Sequence, residues 1–414
     1  MGLFIKNLNP RYVMKVVFHD PTFSLQLLRT IDKTYYKAAD IGECLSTAYR
    51  IKEGDFESWH IEWLKTAKRV HKYAEDCLAR GHKVSAREAY LRASNYYRVA
   101  EFLLIEPEDP RVQTTWSNSK ECFGKAARLF SPSFEPIEIP YEGTTLPGYF
   151  YRTNDHNSVR GARTSRPTII VHGGFDSTLE ELYASAAAPA LDRGYNCLTF
   201  EGPGQGGVIR KQKIPFRYDW EKVVTLVMDY ALSRKEMDPS RISLMGISMG
   251  GYLAARAAAF EDRIAACVLY NGVYDGYDAF AARFPQSLRI AVENGDVNVV
   301  NTVTNILSDI DTNMRFNLKH GMWTTGTSTP FDLVQGSKKY TVKDIAQKIK
   351  CPTLVLEGEK DDSFPGQPKK VYDALTCPKK YIQFTTEEGA EEHCQCGAPA
   401  LSNQRIFDWL DEIL

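Results

Sequence analysis

The chain has 414 residues, 43% of them hydrophobic, and a formal net charge of −1. That length suits one large domain plus a smaller one with a proper core, and the near-zero charge argues against a nucleic-acid or anionic-membrane partner. No run of about 18 apolar residues predicts a transmembrane helix, and nine scattered cysteines fit a reducing, intracellular compartment.

The N-terminus, Met1 to Lys6, lacks the basic start, apolar core and cleavage site of a signal peptide. Lys6 also stands where a myristoylation signal at Gly2 would need Ser or Thr. Residues 1 to about 130 read as a helical domain. Asp20-Pro21 marks a helix start, with Phe23, Leu27 and Ile31 on one face. A second helix covers about Ile41 to Ile51. A third follows Asp55, with Trp59, Trp63, Val70, Ala74 and Leu78 on one side, and Gly81 ends it. Ser85 with Glu88 three residues on reads as a capping box opening a fourth, which carries Ala89, Tyr90, Ala93, Tyr97, Ala100 and Leu104. The pair resembles a tetratricopeptide unit. One unit is too few for an array, so the helices are expected to pack on something else.

From 131 the texture changes. Ser131-Pro132 begins a linker, and Ile137–Tyr141 and Leu146–Tyr151 flank a turn at Glu142-Gly143-Thr144, a β-hairpin. The basic run Arg160 to Arg166 is expected to be a solvated loop. Strands at Thr168–Val171, Asn196–Phe200, 241–245 and Ala265–Tyr270 then alternate with helices at Leu179–Asp192 and Trp220–Ser233 and an alanine-rich helix from Gly251. Residues 276–343 break the rhythm and read as a cap insertion, with a helix at Val297–Ile310. Strands Thr353–Leu356 and Lys380–Phe384 and helices around Pro368–Leu375 and Leu401–Ile413 complete the chain. The alternation predicts a parallel sheet with helices on both faces, in an α/β catalytic domain over 131–414.

The chemistry centres on Gly246-Ile247-Ser248-Met249-Gly250, a strand-to-helix turn of the G-x-S-x-G type that lifts a serine hydroxyl out of the sheet. Its glycines leave the room that such a strained turn needs. A serine between glycines is by itself only a turn, so the surroundings decide. Acyl-transfer chemistry needs a base, a group that orients the base, and donors for the oxyanion. After the strand ending at Val171, His172-Gly173-Gly174-Phe175 offers the amide of Gly174 or Phe175, to act with that of Met249. His172 precedes the nucleophile and is assigned a structural role. After the strand at 353–356, Asp361 is preferred as the acid over Asp362 and Glu359, since it stands three residues past Gly358 and four before Pro365. Only His320 and His393 follow Ser248. His320 lies in the cap and before the acid, so His393 is the expected base, with the neighbouring glutamates modulating its pKa.

Gly202-Pro203-Gly204-Gln205-Gly206-Gly207 matches the dinucleotide fingerprint G-x-G-x-x-G, but it contains a proline, lacks an immediate helix and is not in a first β-α-β unit. It reads as a tight turn lining the cleft, so no cofactor is expected. Cys394-Gln395-Cys396 with His393 provides too few ligands for zinc, so no metal is expected. Trp59, Trp63, Trp323, Tyr274 and Tyr277 are candidates to line a hydrophobic cleft, with core the commoner fate of such residues.

As a set, His172–Thr178, Glu201–Gly206, Arg217–Glu221, Gly246–Gly251, His320–Trp323, Glu357–Asp361, Phe364–Gln367 and Glu392–Cys394 resemble the α/β-hydrolases that carry an N-terminal helical domain. These include bacterial pseudooxynicotine-type C–C hydrolases and fungal yellowish-green-pigment polyketide-shortening hydrolases. The resemblance spans most of the chain. It implies an α/β-hydrolase fold, a Ser248–Asp361–His393 triad and a substrate cleft between the helical domain and the core. It also implies hydrolytic cleavage beside a ketone of a polyketide-like secondary metabolite, or of an ester, with a homodimer as a possible assembly. Two other readings share the scaffold: acyl transfer or lactonisation on the same acyl-enzyme, and a non-catalytic binding protein.

Overall fold

The computed structural model describes residues 14–153 and 165–414. Met1–Lys6 and residues 160–164 of the basic run lie outside them. Five helices open the chain: α1 (Pro21–Ile31), α2 (Ile41–Ala48), α3 (Phe56–Ala79), α4 (Lys83–Phe102) and α5 (Pro110–Ala127). Asp20 caps α1 by accepting from the Thr22 and Phe23 amides at 2.9 and 3.0 Å. Trp59, Trp63, Val70 and Ala74 face inward from α3, whereas Leu78, expected with them, is 37% exposed on the last turn. The capping box expected at Ser85 does not form. Gly81 takes a left-handed φ of +78°, and the His82 amide closes α3 on the Cys77 carbonyl at 2.9 Å. The chain re-enters helix at Lys83, so Ser85 already lies inside α4. Most of α4 is buried, on more faces than one stripe would need.

The sheet is built from β1 (Glu135–Tyr141), β2 (Thr144–Tyr151), β3 (Arg166–His172), β4 (Asn196–Phe200), β5 (Met237–Ile247), β6 (Ala266–Tyr270), β7 (Thr353–Gly358) and β8 (Lys379–Phe384). The spatial order is β1-β2-β4-β3-β5-β6-β7-β8. β1 and β2 form a hairpin whose turn residues, Glu142 and Gly143, both have positive φ. β2 runs antiparallel to β4, and the strands from β4 to β8 are parallel to one another. The chain leaves β3 outward to β4 and returns on its other side as β5. The carboxyl ends of β3 and β5 therefore flank a topological switch point, where open α/β sheets bind ligands.

The helical stretch expected at Leu179–Asp192 contains a wide π segment, Tyr183–Ala187, ahead of α6 (Ala188–Asp192). Pro189 accounts for it, since its ring crowds the carbonyl four residues back and it has no N–H to give. α7 (Glu221–Leu232) and α8 (Gly250–Ala258) cover one face of the sheet. The other face shares one continuous apolar cluster with residues of α1, α3, α4, α5 and the last helix. Residues 276–343 form α9 (Gly276–Phe280), α10 (Gln286–Asn294), α11 (Val297–Ile310), α12 (Thr312–Thr325) and α13 (Pro330–Ser337), with a small core of their own. α14 (Gln367–Ala374) and α15 (Pro399–Ile413) complete the chain. Among the described residues no helix is long and apolar enough to cross a membrane.

Candidate active site

Ser248 sits between β5 and α8 with φ +64°, a left-handed conformation that a serine adopts at a cost. Its neighbours make the turn possible. A Cβ on Gly246 would lie 1.9 Å from the Gly250 carbonyl oxygen, and one on Gly251 would lie 2.2 Å from that of Asn271. The Ser248 amide is held by the Tyr270 carbonyl at 2.8 Å, which ties the turn to the end of β6. The N-terminal end of α8 adds its positive dipole at this point.

Asp361 and His393 arrive from the far ends of β7 and β8. His393 Nε2 lies 2.8 Å from Ser248 Oγ, and its Nδ1 lies 2.9 and 3.0 Å from the two Asp361 oxygens. Since Nδ1 meets a carboxylate, it carries the hydrogen, which leaves Nε2 free to accept from Oγ. Asp361 is further held by the Ser363 amide at 2.8 Å and by the Asn271 side-chain amide. Burial alone would push the Asp361 carboxyl up; the facing imidazole and the backbone donors outweigh it, and the net shift is downward. Burial likewise opposes charge on His393, but Asp361 and then Cys394 outweigh it and raise the imidazole well above its usual range. The Cys394 thiol lies 3.4 Å from Nε2. Glu392, expected to act on His393, instead accepts from the Met14 amide, and burial first, then nearby carboxylates, lift it to about 7.

The other candidates are elsewhere. Glu359 accepts from the Thr386 amide at 2.8 Å. His172 is fully buried against Phe200 and Trp220, and burial lowers its pKa to about 4. His320 lies in α12, not at the nucleophile.

The segment after β3 packs directly on the turn: a Cβ on Gly174 would stand 2.8 Å from the Met249 amide nitrogen and 2.7 Å from the Ile247 carbonyl. Three carbonyls of this segment are tied. Gln205 Nε2 donates to Gly173 at 2.7 Å and to Gly174 at 3.2 Å, and His320 Nε2 donates to Phe175 at 3.0 Å. In a trans peptide the N–H points opposite to the preceding C=O. The Gly174 and Phe175 amides are therefore turned away from Gln205. Among the described residues, no backbone carbonyl accepts from the amides of Gly174, Phe175 or Met249.

Asn271 and Gln205 carry no sequence signal of their own; Gln205 is hidden within the glycine-rich turn. In that turn the Glu201 carboxylate accepts from the Leu179 and Gly207 amides, and a five-residue π segment follows where a dinucleotide site needs a helix. Among the described residues no group of three or more His, Cys, Asp or Glu side chains is placed to hold a metal ion.

Ser248 and His393 open on a cavity of about 470 Å³ lined by α1, the β3–α6 connection, the 276–343 helices and the 392–396 turn. Its aromatic wall includes Phe102, Phe175, Phe216, Phe316, Tyr340 and Phe364. None of the five aromatic residues singled out by sequence lines it. Trp59 and Trp63 are wholly buried among the N-terminal helices, where they pack on each other and on Phe18, Phe23 and Tyr96.

The fold, with a serine lifted on a strained turn at the switch point, defines a class of α/β enzyme. The profile of the Alpha/beta hydrolase family matches residues 168–391, and that of the FrsA-like esterases matches 21–276. The chain belongs to the alpha/beta hydrolase family. It is 37% identical over 416 residues to Hydrolase LUC6 of Fusarium sp, covering 96% of this chain and 98% of that one. It is 35% identical to the 20-hydroxy-prefusarin hydrolase FUS2 of Gibberella moniliformis, again covering 96% and 98%. Among solved structures, the 2,6-dihydroxy-pseudo-oxynicotine hydrolase superposes with a TM-score of 0.73 at 24% identity, over 92% of this chain and 95% of that one, a likeness of fold.

Proposed function

We propose that this enzyme is a serine hydrolase that cleaves a C–C bond beside a ketone, or an ester, in an oxygenated, polyketide-like small molecule. The observation that carries the reading is the unbroken Asp361–His393–Ser248 hydrogen-bond chain opening on an aromatic-walled cavity. The FUS2 relative, whose named activity is the hydrolysis of 20-hydroxy-prefusarin, supports an oxygenated small molecule as substrate.

Ser248 Oγ adds to the substrate carbonyl as His393 Nε2 takes its proton. The developing oxyanion accepts from the Met249 amide and from that of Phe175 or Gly174. Collapse breaks the bond to the leaving carbon or oxygen, which receives the proton from His393, and the acyl group stays on Oγ. Water then gives its proton to His393 and attacks the acyl ester, releasing a carboxylic acid and restoring Ser248. Asp361 keeps the Nδ1 hydrogen in place and stabilises the imidazolium. Residues 1–130 act as a lid-like domain on the 131–414 catalytic part, with 276–343 as its cap, and the enzyme works inside the cell. The test incubates Ser248→Ala protein with extracts of the producing organism and identifies retained metabolites by mass spectrometry. A retained polyketide-like ketone or ester that native enzyme cleaves supports the reading; native enzyme that leaves every retained molecule intact rejects it.

A further inference from the structure

We propose that His320 is a positioning residue that makes the oxyanion hole complete only while α12 is docked. The inference rests on Ser248 as nucleophile and on the Phe175 amide as an oxyanion donor.

Two peptide planes flank the Phe175 α-carbon. Gln205 holds the carbonyl of the first, at Gly174, and His320 holds that of the second, at Phe175 itself. The first plane carries the Phe175 N–H and is aimed by Gln205; the second is pinned by His320, which holds the far side of the Phe175 α-carbon and so keeps the first plane from tilting. A carbonyl only accepts, so the His320 Nε2 carries hydrogen. Burial draws the His320 pKa down to about 4, so the ring donates as a neutral imidazole at ordinary pH. The ring cannot swing away, because it stacks on Phe316 (centroids 5.0 Å, 15°) and meets Phe175 and Trp323 edge-on at 4.9 and 5.5 Å. Gly321 leaves room for this contact; a Cβ there would stand 2.9 Å from Leu333 and 3.4 Å from the Phe175 ring.

His320 belongs to a helix anchored elsewhere in the protein. Thr312, at the start of α12, bonds the Asp20 carboxylate at 2.9 and 3.0 Å. In its middle, Phe316 stacks on Phe102 of α4 at 4.5 Å and 16°. At its end, the Thr324 carbonyl accepts from the Phe216 amide at 2.8 Å. Asp20 itself caps α1, whose Gln26 and Arg29 line the cavity. The helix that walls the substrate space is thus the one that braces the residue bearing an oxyanion donor. An empty or ill-fitted cavity that lets α12 drift would also loosen the hole, which couples substrate fit to turnover.

The test compares two ligands on native enzyme and on His320→Phe, His320→Gln and Thr312→Val. 1,1,1-Trifluoro-2-octanone forms a hemiketal with Ser248 whose oxyanion occupies the hole, while 2-octanone reports ground-state binding. His320→Phe keeps the stack and removes the donor. It is expected to lose about ten- to a hundredfold in affinity for the trifluoroketone, less than removal of a whole donor costs, with 2-octanone binding unchanged. His320→Gln regains most of the loss. Thr312→Val keeps His320 and frees the start of α12, and loses about threefold. A purely structural role would lower thermal stability without separating the two ligands. The inference is overturned if the His320 variants bind the trifluoroketone as native enzyme does, or lose both ligands equally. Native enzyme that forms no hemiketal would overturn the nucleophile reading, and this inference with it.

Discussion

The turn at Ser248 and the helix α12 face each other across one cavity, and they are built in opposite ways. The turn is local. Strain at φ +64°, a glycine on each side and a helix beginning two residues later all lie within one short stretch of chain. α12 owes its place to distant partners: Asp20, Phe102, Phe175 and Phe216 lie between 108 and 292 positions away in sequence. The candidate nucleophile is placed by short-range geometry at a strand end, and the cavity wall by long-range packing.

That contrast ranks the expected effects. Ser248→Ala removes the attacking atom and is expected to lower kcat by roughly 10⁴- to 10⁶-fold with unchanged circular dichroism. Asp361→Asn leaves His393 with the wrong tautomer and is expected to lose about 10³- to 10⁴-fold in steady-state assays on a p-nitrophenyl ester. Gly174→Ala drives a methyl group into the Met249 amide and the Ile247 carbonyl, so the donor pair separates; about a hundred- to a thousandfold loss in kcat is expected.

At ion pairs and caps outside the site, stability responds rather than chemistry. Arg210 and Glu101 pair at 2.6 Å, both nearly buried, where the 202–216 segment meets α4. Arg210→Met leaves Glu101 uncompensated and is expected to cost about 3–5 kcal/mol in urea unfolding. At the small end, Asp55→Ala, which removes the cap of α3 on the Ser58 amide, costs about 1 kcal/mol, whereas Ser85→Ala costs less than about 0.5 kcal/mol because Ser85 is not a cap.

The pH profile separates the two histidines. His393 must be neutral to accept a proton, and its pKa is raised above 6.5, chiefly by Asp361 acting against burial. The acid limb of kcat/KM is therefore expected above 6.5, with activity falling as pH drops through it. His320 and His172, both lowered to about 4 by burial, contribute no limb in that range. A limb at or below 6.5 would remove Asp361 from its assigned role.

The same contrast explains what was legible in the chain. Strands and connecting helices followed from apolar runs and their spacing, because parallel strands buried on both faces must be apolar throughout. The switch point brought Gly174, Ser248, Asp361 and His393 together because each stands just past a strand end. Asn271 was not legible: it stands just past β6, but only the fold brings its amide to Asp361. Gln205 was masked by its glycine neighbours, and His320 could be set aside as a base without any hint that it bonds the Phe175 carbonyl. The cavity's own aromatics were not legible, for a physical reason. Trp59 and Trp63 have the size and spacing of a lining but face the shared apolar core, while Phe102 and Phe316, far apart in sequence, meet at the cavity wall.

The central claim is that Ser248, activated by His393 and Asp361, is the nucleophile. Its most direct test is intact-protein and peptide mass spectrometry after exposure of the native enzyme to a fluorophosphonate. The account predicts one adduct, on the peptide bearing Ser248, absent from Ser248→Ala and strongly slowed in Asp361→Asn. An unlabelled but folded native enzyme, or an adduct that persists in Ser248→Ala, would contradict it.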